Sequence, residues 1–275
     1  MEITDTARIA WLDKSHPNYE RWERARNISL ERGKFVRSII EQKIKCENLT
    51  ILDLGSGQGG TAKILSEKNN VVSLDLNITR LNQQENRCEN IFRINGDALS
   101  LPFKPLSFDL IILQDVIEHV AMPACLIKSF HNLLKENGIV YLSTPNKYSF
   151  FNILSDPHWG FPLVSLLKRE TIRNFFLKFF RKPEAGRTDI AELFSLKELS
   201  ENFKDKFVYT LYTNYSTEEL LKGNKGIIWS DFHLALLKFT KLFKMDQLIL
   251  GLANDRPGII NKYFTPSFYF LLEKI

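Results

Sequence analysis

A doubly wound α/β sheet is the fold class that this 275-residue chain predicts. Two observations predict it. Between residues 49 and 144, short aliphatic runs alternate with longer amphipathic stretches, the pattern of parallel strands joined by helical crossovers. The first of those strands also runs straight into a glycine turn, Gly55-Ser56-Gly57-Gln58-Gly59-Gly60. A hydrophobic fraction of 44% and a charged fraction of 25% are those of an ordinary globular chain with a sizeable core.

The elements follow in order. Residues 17–45 carry many Arg and Glu and apolar positions at Ile28, Phe35, Val36, Ile39 and Ile40, which predicts a helix. A buried strand at 49–54 leads into the turn, then a helix at 61–68, a strand at 71–76 and a helix at 78–86. A third strand at 91–95, a polar loop to Pro105 and a fourth strand at 108–113 come next. A helix at 122–134 is closed by Asn137-Gly138, a helix-stop signal, and a fifth strand at 139–143 is stopped by Pro145. Beyond Pro145 the pattern changes: 146–200 reads as loop and amphipathic helix, 207–213 as strand, 217–222 and 232–250 as helices, and 267–274 as a final strand. The chain thus divides into an N-terminal helical segment, 1–45, and one domain, 46–275. That domain has a core at 46–145, a cap at 146–206, and late strands with a helical insertion at 207–275.

Composition narrows the classes. The net charge of +5 reads as scattered lysines on a solvated surface. No compact Arg/Lys patch with interleaved aromatics stands outside the amphipathic helices, so no nucleic-acid partner is expected. Cys46, Cys88 and Cys125 are odd in number and far apart, which favours a reducing, cytoplasmic setting. Residues 1–11 lack the apolar core of a secretion signal, and no run approaches the 18 apolar residues of a membrane span.

The glycines alone are ambiguous, because Gly55, Gly57 and Gly60 also satisfy the G-x-G-x-x-G dinucleotide fingerprint. Asp53 separates the readings. Its carboxylate at the turn entrance repels a pyrophosphate and suits a cationic group, such as the amino group of S-adenosylmethionine (SAM). Its other reading is a brace that ties the turn through backbone N–H groups. Asp75 ends the second strand where an acid accepts from ribose hydroxyls, or caps the next helix. Asp97, in Asn95-Gly96-Asp97-Ala98-Leu99, lies over the sheet where it accepts from an adenine amino group, or forms an Asx turn.

DLGSGQGG, VVSLDLN, NGDALSLPF, FDLIILQDVIEHV and LLKENGIVYLSTPN, in that order within residues 49–146, resemble the class I SAM-dependent methyltransferases. The similarity is greatest to the subgroup that includes the ubiquinone-biosynthesis methyltransferases. It implies a Rossmann-like, seven-stranded, mostly parallel sheet with helices on both faces and an antiparallel last strand. Helical insertions are then expected after strand 5 and between strands 6 and 7. It implies SAM as cofactor, with Gly55, Gly57 and Gly59 at the methionine end and Gln114 and Asp115 near it. Asp75 and Asp97 hold ribose and adenine in that scheme, and Leu76 and Ala98 beside them join the cofactor-binding set. The motifs are specific for the superfamily and say little about the acceptor.

A sulfonium methyl group is already electrophilic, so the protein must align a nucleophile, exclude water and, for a hydroxyl, supply a base. Gln114 to His119 follow the fourth strand at the expected mouth. If helical, Asp115, Glu118 and His119 share one face, and His119 is the candidate base. The same three could hold a divalent cation or only brace the helix; D-x-x-E-H looks equally like metal-free members, so no metal is expected. His158, in Asp156-Pro157-His158-Trp159-Gly160, opens the cap and is the second catalytic candidate; its other reading is a capped turn over Trp159. The stretch from Thr144 to Arg169 is weakly similar to methyltransferases of bacterial surface-glycan clusters. The expected reaction is O-methylation of a small-molecule, sugar or lipid-linked acceptor. One rival is an NAD(P)-dependent oxidoreductase, against which stand Asp53 and the absence of a Tyr-x-x-x-Lys pair. The other is a non-catalytic SAM-binding module, against which stand His119 and His158.

Two phenylalanine-rich stretches remain. Ile172, Phe175, Phe176, Phe179 and Phe180 recur at helical spacing among basic residues, as do Phe232, Ala235, Leu236, Phe239 and Phe243. Each is either a cap packed onto the core or a face for peripheral contact with an anionic membrane. The oligomeric state is left open.

Overall fold

The computed structural model describes residues 14–15, 19–84, 89–227 and 231–275. Residues 1–13, 16–18, 85–88 and 228–230, with Cys88 and the N-terminal stretch considered above, lie outside the described residues, as do the side chains of Phe232 and Leu236. Helices α1 (Tyr19–Asn27) and α2 (Ser29–Ile40) precede a seven-stranded sheet. Its strands are β1 (Thr50–Leu54), β2 (Asn70–Asp75), β3 (Ile91–Asn95), β4 (Phe108–Gln114), β5 (Leu134–Pro145), β6 (Phe207–Leu211) and β7 (Ser267–Lys274). Their order is β3-β2-β1-β4-β5-β7-β6. β1 to β5 pair in parallel, and β7 runs antiparallel to both β5 and β6. This is the predicted Rossmann-like architecture.

Strand pleating explains how the sheet is covered on both faces. Leu52, Leu54, Ile111, Leu113, Val140 and Leu142 face one core, closed by Leu126, Ile127 and Phe130 of α5 (Pro123–Leu133). The alternate residues Ile51, Leu110, Ile112, Ile139 and Tyr141 face a second core, closed by Phe35, Val36, Ile39 and Ile40 of α2 and by α3 (Gly60–Ser66). Period-two alternation with both faces apolar is what a sheet buried between helix layers requires. Each fully buried side chain of α2 contributes about 2 kcal/mol, so the segment read as a separate N-terminal element is fastened to the sheet.

Three expected boundaries change. The helix expected over 17–45 breaks at Ile28 and ends at Ile40. Asn137-Gly138 caps no helix: α5 ends at Leu133, and the pair sits inside a register shift of β5, where Leu134 pairs with Phe108 and Ile139 with Leu110. The helix expected at 232–250 divides into α11 (Asp231–Leu242) and α12 (Asp246–Leu252), with Lys244 at φ +53° between them.

The cap forms its own small core of Trp159, Val164, Ile172, Phe176, Leu177 and Ile190. No helix among the described residues is long and apolar enough to cross a membrane. Because β1 and β4 are neighbours whose crossovers depart in opposite directions, the crevice at their carboxyl ends is the topological switch point where ligands of open α/β sheets bind. The glycine turn and the segment Gln114 to His119 both emerge there.

Candidate functional site

The turn after β1 is held in the left-handed region at Gly55 (φ +68°), Gly57 (φ +53°) and Gly59 (φ +76°), where a side chain is strained. Two of the three also answer to a neighbour. A Cβ on Gly55 would meet Val116 Cγ2 at 2.4 Å, and one on Gly59 would meet Gln84 at 2.7 Å. A Cβ on Gly57 would enter open space, with Gly55 O at 4.0 Å as its nearest contact. Asp75 braces this loop: Oδ2 accepts from Gly57 N at 2.8 Å and Oδ1 from Asn77 N at 2.8 Å. Gln84, just beyond α4 (Ile78–Gln83), donates to Ser56 Oγ and Gly57 O and accepts from Ser73 Oγ.

Asp53 lies beneath the turn, 2% exposed, and its Oδ2 has no hydrogen-bond partner. Burial and then the nearby Asp75 push its carboxyl up to about 7, against a backbone N–H from Ala62. A buried acceptor without a partner is costly unless a ligand supplies one. Helix α2 crosses directly above: a Cβ on Gly33 would meet Gly60 O at 2.8 Å, and the Arg32 guanidinium pairs with the Asp115 carboxylate. Asp115 has φ +54°, an uncommon conformation for a side-chain-bearing residue. Its Oδ1 accepts from Ser143 Oγ, while Gln114 Oε1 accepts from Thr61 Oγ1 at 2.7 Å. Leu76 is 72% exposed and Asp97 is exposed beside it, its Oδ1 accepting from Leu99 N in an Asx turn.

The single helical face expected of Asp115, Glu118 and His119 is not formed. Only Ile117–His119 makes a 3₁₀ turn, and the left-handed Asp115 before it points to Arg32. Glu118 and His119 instead meet the cap. His158 Nε2 lies 3.8 Å from Glu118 Oε1, and the His119 and His158 rings cross edge to face at 5.2 Å. His119 Nδ1 lies against the Asp189 carboxylate. Glu118 is fully buried; its Oε2 accepts from Thr144 Oγ1, and Oε1 has no hydrogen-bond partner. Burial raises Glu118 to about 7 despite His119. Burial works to lower His119, but Asp189 and then Glu118 outweigh it and hold the imidazole above its ordinary value. Asp189 is held well below the carboxylate range: burial opposes this, and His119 and Arg187 prevail. Ligand atoms of Glu118, His119 and His158 lie within 4.8 Å of one another, a spacing that a divalent cation can bridge.

With this geometry in view, residues 52–142 match the family described as "Methyltransferase domain". That stretch covers most of β1, all of β2 to β4 and most of β5, the same residues whose motifs resemble the class I SAM-dependent methyltransferases. The chain is similar to the ubiquinone biosynthesis O-methyltransferase of Pseudomonas paraeruginosa, 29% identical over 157 residues, covering 54% of this chain and 65% of that protein. The namesake in Xylella fastidiosa is 28% identical over 114 residues, 39% of this chain and 46% of that one. The match therefore spans somewhat under two thirds of these relatives' own length. Among solved structures, a SAM-dependent methyltransferase from Mesorhizobium loti superposes with a TM-score of 0.54 at 15% identity, covering 86% of this chain and 96% of that one. The plantazolicin methyltransferase BamL gives 0.55 at 13% identity, covering 98% and 94%. At these identities the superpositions speak for the fold.

The carboxyl ends of β1, β2 and β4 thus gather Asp53, Gly55, Gly57, Gly59, Asp75, Gln114 and Asp115, with Leu76, Asp97 and the half-buried Ala98 after β2 and β3. Asp156 does form the capped turn considered for this stretch: Oδ1 accepts from His158 N and Trp159 N, with Trp159 buried. That turn nevertheless delivers the His158 ring to Glu118. Sequence reasoning missed Arg32, Gln84, Asp189 and Arg169. Arg169 Nη2 donates to the carbonyls of Glu118 and Val120 and, with Glu192 N on the same Glu118 carbonyl, clamps the cap to the 3₁₀ turn. Polar residues amid apolar ones were the available signal, but their partners are too distant in sequence to be inferred.

Proposed function

We propose that the chain transfers a methyl group from SAM to a hydroxyl oxygen of a small-molecule acceptor. The carrying observation is the split of one short segment after β4: Asp115 turns toward the glycine loop, while Glu118 and His119 turn toward the cap. The residues around the loop fit the cofactor. Asp53 Oδ2, buried and without a partner, suits an ammonium group, and Arg32 is placed for a carboxylate. The open space at Gly57 lets a ligand approach the backbone, and Leu76 offers an apolar surface beside Asp97 for an adenine. When bound, SAM supplies an electrophilic methyl on a sulfonium. Asp75 then serves two ends, keeping the loop closed and offering its remaining lone pairs to ribose hydroxyls.

On the acceptor side, Asp189 fixes His119 through Nδ1, leaving Nε2 to take the hydroxyl proton. His158 lines the same mouth. Relatives named as O-methyltransferases support oxygen as the nucleophile. Sugar and lipid-linked hydroxyls fall within the same acceptor chemistry. A second reading has Glu118, His119 and His158 hold a divalent cation that orients the acceptor oxygen, supported by their spacing and by the buried Glu118 Oε1, which accepts no hydrogen bond.

Transfer of label from methyl-labelled SAM to a panel of phenols, catechols and glycosides tests the reaction, before and after dialysis against a chelator. Label in an ether product supports O-transfer, and activity restored only by added Mg²⁺ or Zn²⁺ selects the metal reading. SAM binding without transfer to any oxygen, nitrogen or carbon acceptor would favour a non-catalytic module.

A further inference from the structure

The segment Phe161 to Lys182 of the cap carries a surface that methyl transfer does not use. It begins its helical part with α7 (Arg169–Thr171), passes through a π-helical turn at Ile172–Phe176 and ends in α8 (Leu177–Phe180). The widened turn places Ile172, Phe176 and Leu177 inward on the cap's core and leaves Phe175, Phe179 and Phe180 outward, 53%, 66% and 56% exposed. These three rings touch: Phe175 lies 5.2 Å from Phe179 and 6.1 Å from Phe180. They form one raised apolar knob, seated on Phe176 through its stack with Phe180.

Charge is concentrated on the same segment. Of the chain's 37 Lys and Arg and 32 Asp and Glu, it holds six and one; the remaining 31 of each balance. The entire formal charge of +5 is thus carried here, against the expectation of scattered lysines. Lys168, Arg173, Lys178 and Lys182 are exposed, and none of them forms an ion pair among the described residues. Exposed aromatic rings set among unneutralised cations match a surface that is anionic at its face and apolar just beneath.

We propose that the segment Phe161 to Lys182 docks the protein on an anionic lipid bilayer, with Phe175, Phe179 and Phe180 entering the interface. Arg169, at the start of the same helix, holds the Glu118 and Val120 carbonyls, so the docked surface lies one helix away from the acceptor mouth. The docking surface stands apart from the methyl-transfer reading, since vesicle binding is measured with neither cofactor nor acceptor.

The test is co-sedimentation of the full chain with phosphatidylcholine vesicles, with and without roughly 30% phosphatidylglycerol, at low and high salt. The wild type is expected to bind the anionic vesicles at low salt and to leave neutral ones in the supernatant. The triple variant F175S/F179S/F180S and the pair R173E/K178E should each weaken binding on the order of tenfold or more while keeping wild-type SAM affinity, which reports an intact fold. Failure of the wild type to bind anionic vesicles would overturn the proposal, as would undiminished binding of the triple serine variant. A dimer in light scattering that the triple variant abolishes would instead assign the face to a second copy of this chain, and would overturn it too.

Discussion

At the carboxyl end of β1 the site is made of backbone, and beyond β4 it is made of side chains. The glycine loop takes its shape from three left-handed residues in a row of five and is braced by Asp75 and Gln84, within 30 residues of it. The proposed acceptor mouth gathers Glu118 and His119 from one loop and His158 and Asp189 from the cap. The first half is a local structure that a short string specifies. The second exists only when the cap has folded over the sheet. Rigidity should follow the same division, so substitutions in the two halves should fail differently.

The sharpest way to break the comparison lies within the loop. Gly60→Ala drives a Cβ to 2.5 Å from the backbone of Ser29 and should destabilise the fold by about 3 kcal/mol, lowering the unfolding midpoint and abolishing SAM binding. Gly57→Ala meets nothing, so it should cost only about 1 kcal/mol of left-handed strain yet still lose SAM affinity, because the methyl group enters the open space. Wild-type affinity in a folded Gly57→Ala protein would show that the open space is not the ligand's. In the other half, His119→Ala should leave SAM affinity within twofold and lower kcat on the order of a hundredfold, read by single-turnover methyl transfer.

A smaller effect sharpens the role of the cap. Asp189→Asn should lower kcat on the order of tenfold and shift the acidic limb of the kcat profile to lower pH, since Asp189 is what holds the His119 imidazole up. An unchanged limb would make Asp189 a structural contact only. The last effect is on the pH dependence of stability and concerns Asp53. Its carboxyl sits at about 7 when folded, above its ordinary 3.8, so it binds a proton in the native state that it loses on unfolding between those values. Its contribution is therefore full below pH 3.8 and is lost as pH rises through 7. Asp53→Asn should flatten that slope and make the ligand-free protein about 2 kcal/mol more stable at pH 8, by urea titration. SAM affinity should fall as pH drops below 7 in the wild type and lose that dependence in the variant.

The same division explains what was legible beforehand. β1 to β5 and the glycine loop follow from short aliphatic runs closed by Gly, Asp or Pro, which are local patterns, whereas the antiparallel last strand is what the family resemblance implied. Asn137-Gly138 misled because a helix-stop pair and a strand irregularity share the same residues. The shared face of Asp115, Glu118 and His119 failed for a related reason: helical spacing was assumed where Asp115 takes a left-handed conformation. Arg32 meets Asp115 across 83 positions, and Asp189 reaches His119 from the far end of the cap. No local pattern carries such pairings, and a single sequence offers nothing else from which to read them.

The central claim is tested most directly by calorimetric titration of the purified protein with SAM, S-adenosylhomocysteine and NADH, each alone, in wild type and Asp53→Asn. Binding of the first two and not of NADH, with SAM weakened more than tenfold in the variant at pH 8, is the predicted result. Binding of NADH without SAM would contradict the account and return the glycine loop to a dinucleotide.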